Sequence, residues 1–114
     1  MSIILELKCA EYGSCFGTVE ENILNNAIDV LREDGVYALF LYLDTEGAGA
    51  AIRNKAYAFL CDREIWEDLF PDTYDIDNIR IKFSGRLEKL ILAKELLERV
   101  LVYARYHEKA RGGA

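Results

Sequence analysis

Chemistry in this chain of 114 residues has few places to reside, because the sequence holds one histidine and three cysteines. His107 lies four residues after Tyr103 near the C-terminus, a place where a cation complements a helix dipole. A serine or cysteine triad would need His107 as its base, yet neither Ser14, Cys15 nor Ser84 stands in a nucleophile-elbow sequence. A structural zinc site takes four Cys/His ligands and would need Cys9, Cys15, Cys61 and His107 together. An odd cysteine count without an export signal also argues against a disulfide framework. The cysteines therefore read as small apolar core residues. Glu64 and Asp68 stand at one-turn spacing, but seven of the residues in 62–78 are acidic. Such a stretch reads as a solvated acidic surface rather than an acid–base pair. The expectation is a non-enzyme with no catalytic residue, no metal ligand and no cofactor.

Two further patterns bear on ligands. Were residues 36–43 a strand, Glu46-Gly47-Ala48-Gly49-Ala50 would form a strand–turn–helix resembling a phosphate cradle, with helix N-terminal amides facing an anion. The third glycine of that fingerprint is replaced by Ile52, and no Gly-Lys-Ser/Thr follows. A small nucleotide-binding domain is accordingly the third reading of function. The second pattern is basic. Arg80, Lys82, Arg86, Lys89, Lys94, Arg99, Arg105, Lys109 and Arg111 crowd the C-terminal third, enough to touch several phosphates, and Arg53 and Lys55 add a smaller spot. These residues do not form one stripe. At 100° per residue, Lys89 lies nearly opposite Arg105 on a helix. At a net charge of −6, strong autonomous binding to nucleic acid is not expected.

The elements that must carry these residues follow from periodicity. Thr18-Val19-Glu20-Glu21 fits a capping box. After it, Val19, Ile23, Leu24, Ala27, Ile28, Val30 and Leu31 share one arc of a helical wheel up to the stop at Asp34-Gly35. Val36–Leu43 is apolar throughout and fits a buried strand or a buried helix equally. Residues 50–60 read as a helix, with Ala51, Ile52, Ala56, Phe59 and Leu60 on its apolar face. Asp62 caps a short helix carrying Ile65, Trp66, Leu69 and Phe70, which Pro71 ends. Ile79–Phe83 alternates strictly and predicts a short strand. The longest helix spans about 86–109 and is apolar on two faces: Leu87, Leu90, Ile91, Leu97, Leu101 and Ala104 on one, Leu92, Leu96, Val100 and Tyr103 on the other. Such a helix is either the centre of a bundle or shared with a partner. Self-association through 86–109 is thus one expected contact.

Composition sets the outer bounds. The chain is 52% hydrophobic and 30% charged, so it can build a core, and its size suits one domain spanning 1–114 with a frayed tail at 111–114. Its longest apolar run, Val36–Leu43, is eight residues, against roughly 18 for a membrane helix. No signal peptide is visible, so no membrane association and a cytoplasmic location are expected. Residues 1–78 hold five basic and sixteen acidic side chains, a net of −11, whereas residues 79–114 hold nine and four, a net of +5. That division suits a polar partner or head-to-tail association of identical chains, or an intramolecular match of the two ends.

In order and pattern, Asn26–Leu43, then Lys55-Ala56-Tyr57-Ala58-Phe59-Leu60 with Ile65-Trp66-Glu67-Asp68-Leu69, then Ala93–Ala110 with Tyr103-Ala104-Arg105-Tyr106, resemble the small helical subunits of type III-B CRISPR effector complexes. The resemblance covers roughly residues 19–70 and 90–110. It implies a non-catalytic subunit, several copies of which stack inside a ribonucleoprotein beside its other subunits. It also implies contacts with the backbone phosphates of a guide–target RNA duplex. Carried onto this chain, the contact residues are Arg53, Lys55, Arg86, Lys89, Arg105 and Lys109. The expected fold is mainly α, a compact bundle of about five helices. The alternative is α+β, with Ile3–Lys8, Val36–Leu43 and Ile79–Phe83 as a small sheet and helices 19–34, 50–61 and 86–109 on one side. Two functional readings stand beside the scaffold: a protein-interaction or homo-oligomerising helical module without nucleic acid, and the nucleotide-binding domain.

Overall fold

The spacing of buried residues explains each element of the fold. The computed structural model describes residues 3–16, 20–62, 65–66, 70 and 73–112. Among these the regular elements are six α-helices and one 3-10 turn, with no strand. Helix α1 (Ile3–Ser14) turns Cys9 and Gly13 inward and Tyr12 partly so, the four-residue and three-residue steps of one helical face. Helix α2 (Glu21–Asp34) buries Ile23, Leu24, Ala27, Ile28 and Leu31. Its end is set by Gly35, whose φ of 98° is available to glycine and strained for other residues. The Gly35 amide donates to the Leu31 carbonyl at 3.1 Å, while its own carbonyl accepts from the Leu39 amide at 3.0 Å. One glycine therefore closes α2 and opens α3 (Val36–Thr45).

Helix α3 resolves the ambiguity of residues 36–43. Val36, Leu39, Phe40 and Leu43 are buried, whereas Tyr37 and Leu41 are exposed, which is helical spacing rather than alternation. A 3-10 turn (Gly47–Gly49) leads into α4 (Ala50–Leu60), whose buried residues are Ile52, Ala56, Tyr57, Phe59 and Leu60. Ala51 faces outward. Helix α5 (Ile76–Phe83) and helix α6 (Leu87–Gly112) complete the chain. The radius of gyration is 13.3 Å, the value of about 13 Å expected for a compact chain of this length.

Helix α6 is the centre of the bundle. Ala93, Leu96, Leu97, Val100, Leu101 and Ala104 are fully buried, because α1 packs on one flank of the helix and α2 on another. Two apolar faces are thus both used inside the molecule from Ala93 onward. The first turns differ: Leu87 is 67% and Ile91 56% exposed.

Several sequence expectations are corrected. Ile79–Phe83 is helix, not strand. Asp75 caps it, its carboxylate accepting the Asp77 amide at 3.0 Å. Asp77 in the first turn and Arg80 and Lys82 in the last complement the helix dipole. The alternation was real only within five residues; with Ile76 included, Ile76, Ile79 and Phe83 face inward while Ile81 is 57% exposed. The α+β alternative falls with it, since all three proposed strands lie within α1, α3 and α5. The segment Cys9–Ser14, which the family resemblance does not cover, ends α1. Thr18 lies outside the described residues. The N-cap of α2 is Glu20, which makes no side-chain cap, its carbonyl accepting the Leu24 amide. Helix α6 runs on to Gly112, beyond the expected end at 109. Of the cysteines only Cys9 is a core residue; Cys15 is exposed and Cys61 half-buried. The short helix expected over 62–70 falls partly outside the described residues, Leu69 and Pro71 included, as does the Glu64–Asp68 pair.

Candidate nucleic-acid interface

Two chains of aromatic rings carry the core out to one surface. The first runs from Tyr12 on α1 to Phe59 on α4 (5.1 Å between centroids) and on to Trp66 (6.0 Å), each step edge-to-face. The second links Phe40, Tyr74, Tyr57, Phe70 and Phe83 at centroid separations of 5.2 to 6.4 Å. Hydrogen bonds tie the connection between α4 and α5 to these rings. The Trp66 indole donates to the Phe59 carbonyl at 3.0 Å, and the Tyr12 hydroxyl donates to Asp62 Oδ2 at 2.6 Å. The Tyr74 hydroxyl donates to Asp44 Oδ2 at 2.9 Å. Burial, then the hydrogen bond to a carboxylate, pushes both phenols above their usual range.

Where these chains surface, they floor a groove of about 210 Å³. The floor is apolar: Ile65, Trp66, Phe70, Phe83 and Leu92. Three cations line it, Lys82 from the end of α5, Arg86 just before α6 and Lys89 from the first turn of α6. Gly85, at φ 71°, makes the bend that brings those two helix ends together. An aromatic floor beside cations is chemistry suited to a polyanion that also presents flat rings. The acidic character of the connection is partly neutralised within the fold. Asp62 lies 3.8 Å from Lys8 Nζ, Asp75 caps α5, and Asp77 lies 3.8 Å from Arg80. The other four acids of 62–78 lie outside the described residues.

The six residues expected to meet RNA do not form one surface. Arg86 and Lys89 come together in the groove. Arg53 is engaged internally: its Nη1 lies 3.3 Å from Asp44 Oδ1, its Nε and Nη2 donate to Asn54, and its guanidinium sits 4.6 Å over the Tyr74 ring. It locks the α3–α4 corner. Lys55, two residues on, is exposed on α4. Arg105 and Lys109 share a face at the far end of α6, roughly 24 Å or more along the axis from Lys89 and on the opposite side.

Sequence reading missed the groove itself. It places Trp66 and Phe70 on a short helix, Phe83 at the end of a strand and Lys82 among many cations, with nothing to join them. The available signal was a lone tryptophan close to Phe70 in a short polar segment. The strand–turn–helix setting of Gly47–Gly49 is absent, since residues 36–43 are helical. Gly49 is required for packing: a Cβ there would meet the Leu43 carbonyl oxygen at 2.7 Å. Among the described residues no group of three or more His, Cys, Asp or Glu is placed to hold a metal, and no helix is long and apolar enough to cross a membrane. No protein-family model, curated protein or solved structure matches the chain.

Proposed function

We propose that this chain is a non-catalytic subunit of a CRISPR ribonucleoprotein, holding RNA by its backbone and stacking against neighbouring subunits. One observation carries the reading: Lys82, Arg86 and Lys89 converge on one groove beside an apolar, aromatic floor. Contacts of this kind position a strand without reading its sequence. The resemblance to type III-B small subunits supplies the assembly. The exposed Leu87 and Ile91, one turn apart at the start of α6, suit a neighbour in that stack. The division of charge into an acidic first part and a basic last part suits heterologous contacts between copies.

The test is gentle affinity purification from the native host followed by native mass spectrometry. The expected result is a large particle with a guide-sized RNA and more than one copy of the chain. Arg86→Glu with Lys89→Glu is expected to lower the RNA-bound fraction without unfolding the chain. A lone monomer or homodimer free of RNA, beside a control complex that survives the same procedure, would overturn the reading.

A further inference from the structure

We infer that two copies of this chain pair through the outer face of α6, the helices antiparallel about a two-fold axis at the level of Leu97. The inference goes beyond the RNA reading and does not depend on it. Besides the two faces that the core uses, α6 carries a third row of residues. Glu88, Leu92, Glu95, Arg99, Val102 and Tyr106 follow one another in alternating steps of four and three, the spacing of a coiled-coil seam. Val102 is half-buried and the other five are exposed. Around Val102 this face is hollowed into a groove of about 450 Å³. Arg99, Val102, Tyr103 and Tyr106 line it at i, i+3, i+4 and i+7, the corners of a hole that receives one side chain of a facing helix. The sides of the hole are already held in place. Arg32 from α2 lies 3.2 Å from Glu98, and the Tyr103 hydroxyl donates to Glu6 of α1 at 3.0 Å.

Charge names the occupant as a second copy. Along the row the acids Glu88 and Glu95 precede the cation Arg99. A parallel pair would set Glu95 on Glu95 and Arg99 on Arg99. An antiparallel pair joins unlike groups in a single register. Leu92 enters the hole at Val102 of the second copy, Glu95 meets its Arg99, and Glu88 meets its Tyr106 hydroxyl. Two-fold symmetry makes each contact twice. Among the described residues, Glu88 and Glu95 form no ion pair within the chain. Arg99 touches Glu6 through Nη1 at 3.8 Å, with both side chains close to half exposed. That surface contact leaves Nε and Nη2 of the fork for a second carboxylate. Leu87 and Ile91 lie beside this row, so the closed pair and the open stack use different residues.

The purified full-length chain, free of RNA, is followed by sedimentation equilibrium at low salt across the micromolar range. A monomer–dimer equilibrium with nothing larger is expected, because an isologous contact closes on itself. Glu95→Arg and Arg99→Glu are each expected to weaken the dimer roughly tenfold, since like charges then face each other at both symmetric contacts. Mixed in equal amounts, the two variants are expected to recover most of that loss, because the mixed pair again sets Arg on Glu at both contacts. Glu95 is exposed, so the Glu95→Arg result stands whatever Arg99→Glu does to the contact with Glu6. A monomer throughout overturns the inference. So does a dimer that neither variant weakens, or a mixture as weak as its components. Growth into open-ended assemblies would place the contact in the stack and overturn the closed pair. The RNA content of the native particle is read separately by mass spectrometry, so failure here and failure of the RNA reading are distinguishable.

Discussion

Gly13 shows how much one residue governs in this molecule. It lies where α1 crosses α6, and a Cβ built there would come within 2.5 Å of the Tyr103 Cβ and 3.0 Å of the Ala104 amide and the Val100 carbonyl. Two of these are main-chain atoms of the central helix, so the seam itself must open to admit a methyl group. Overpacking of this kind costs about 1–3 kcal/mol, against a helix-propensity gain of about 0.5–1 kcal/mol for replacing glycine. Gly13→Ala is therefore expected to destabilise the chain by about 1–2 kcal/mol, read as a lower denaturant midpoint. Gly47→Ala is the matched control, because nothing lies within 4 Å of that position. Its midpoint is expected to stay within about 0.5 kcal/mol of the parent. Neither consequence is visible in the sequence, where the two glycines look alike.

At the scale of the element, α6 divides into a buried length and a projecting start. Leu97 has no exposed surface, whereas Ile91, about 120° from it on the helical wheel, is 56% exposed. Leu97→Ala is expected to lose about 2–5 kcal/mol of stability through the transfer and cavity terms. Ile91→Lys is expected to leave the isolated chain within about 0.5 kcal/mol of the parent while lowering the number of copies in the native particle. Denaturant titration and native mass spectrometry read the two effects. Equal destabilisation by both changes would place Ile91 in the core and remove the neighbour contact. The sequence showed that α6 has two apolar faces. It did not show where along the helix those faces run out of partners, because α1 and α2 end where their own caps and loops dictate.

Across the whole molecule, three buried or half-buried groups share a response to alkali. Burial pushes the Cys9 thiol up to about 11, from an ordinary value of 9.0. Burial and a carboxylate hydrogen bond raise Tyr12 and Tyr74 above the usual phenol range of about 10. All three are neutral when protonated, so the folded chain keeps protons that the unfolded chain releases. Stability then falls as pH rises. The contribution is whole below about pH 9, fades between 9 and 11 for Cys9, and only begins to fade above about 10 for the tyrosines. Urea midpoints measured from pH 8 to 11 are expected to drop over that range, and to drop less steeply in Cys9→Ala and in Tyr12→Phe. Parallel slopes in parent and variants would show that these groups are not the cause, leaving the growing net negative charge.

By itself the sequence favoured a mainly α fold and determined the inward face and C-terminal stop of α2, the long two-faced α6, and the separation of an acidic first part from a basic last part. Each of these is written in residues within a few turns of one another, through periodicity, a terminating glycine, or simple counts of charge. Tertiary structure alone decided the rest. Residues 36–43 became helix because Gly35 opens a second helix directly on the end of the first, a choice that an unbroken apolar run does not encode. Arg53 passed from candidate phosphate contact to corner lock because Asp44 and Tyr74 reach it from other segments. The groove exists because Trp66, Phe83 and Leu92, far apart in the chain, converge where two aromatic chains meet the bend at Gly85. Contacts between distant segments leave no local periodicity, and so the fold rather than the sequence assembled this site.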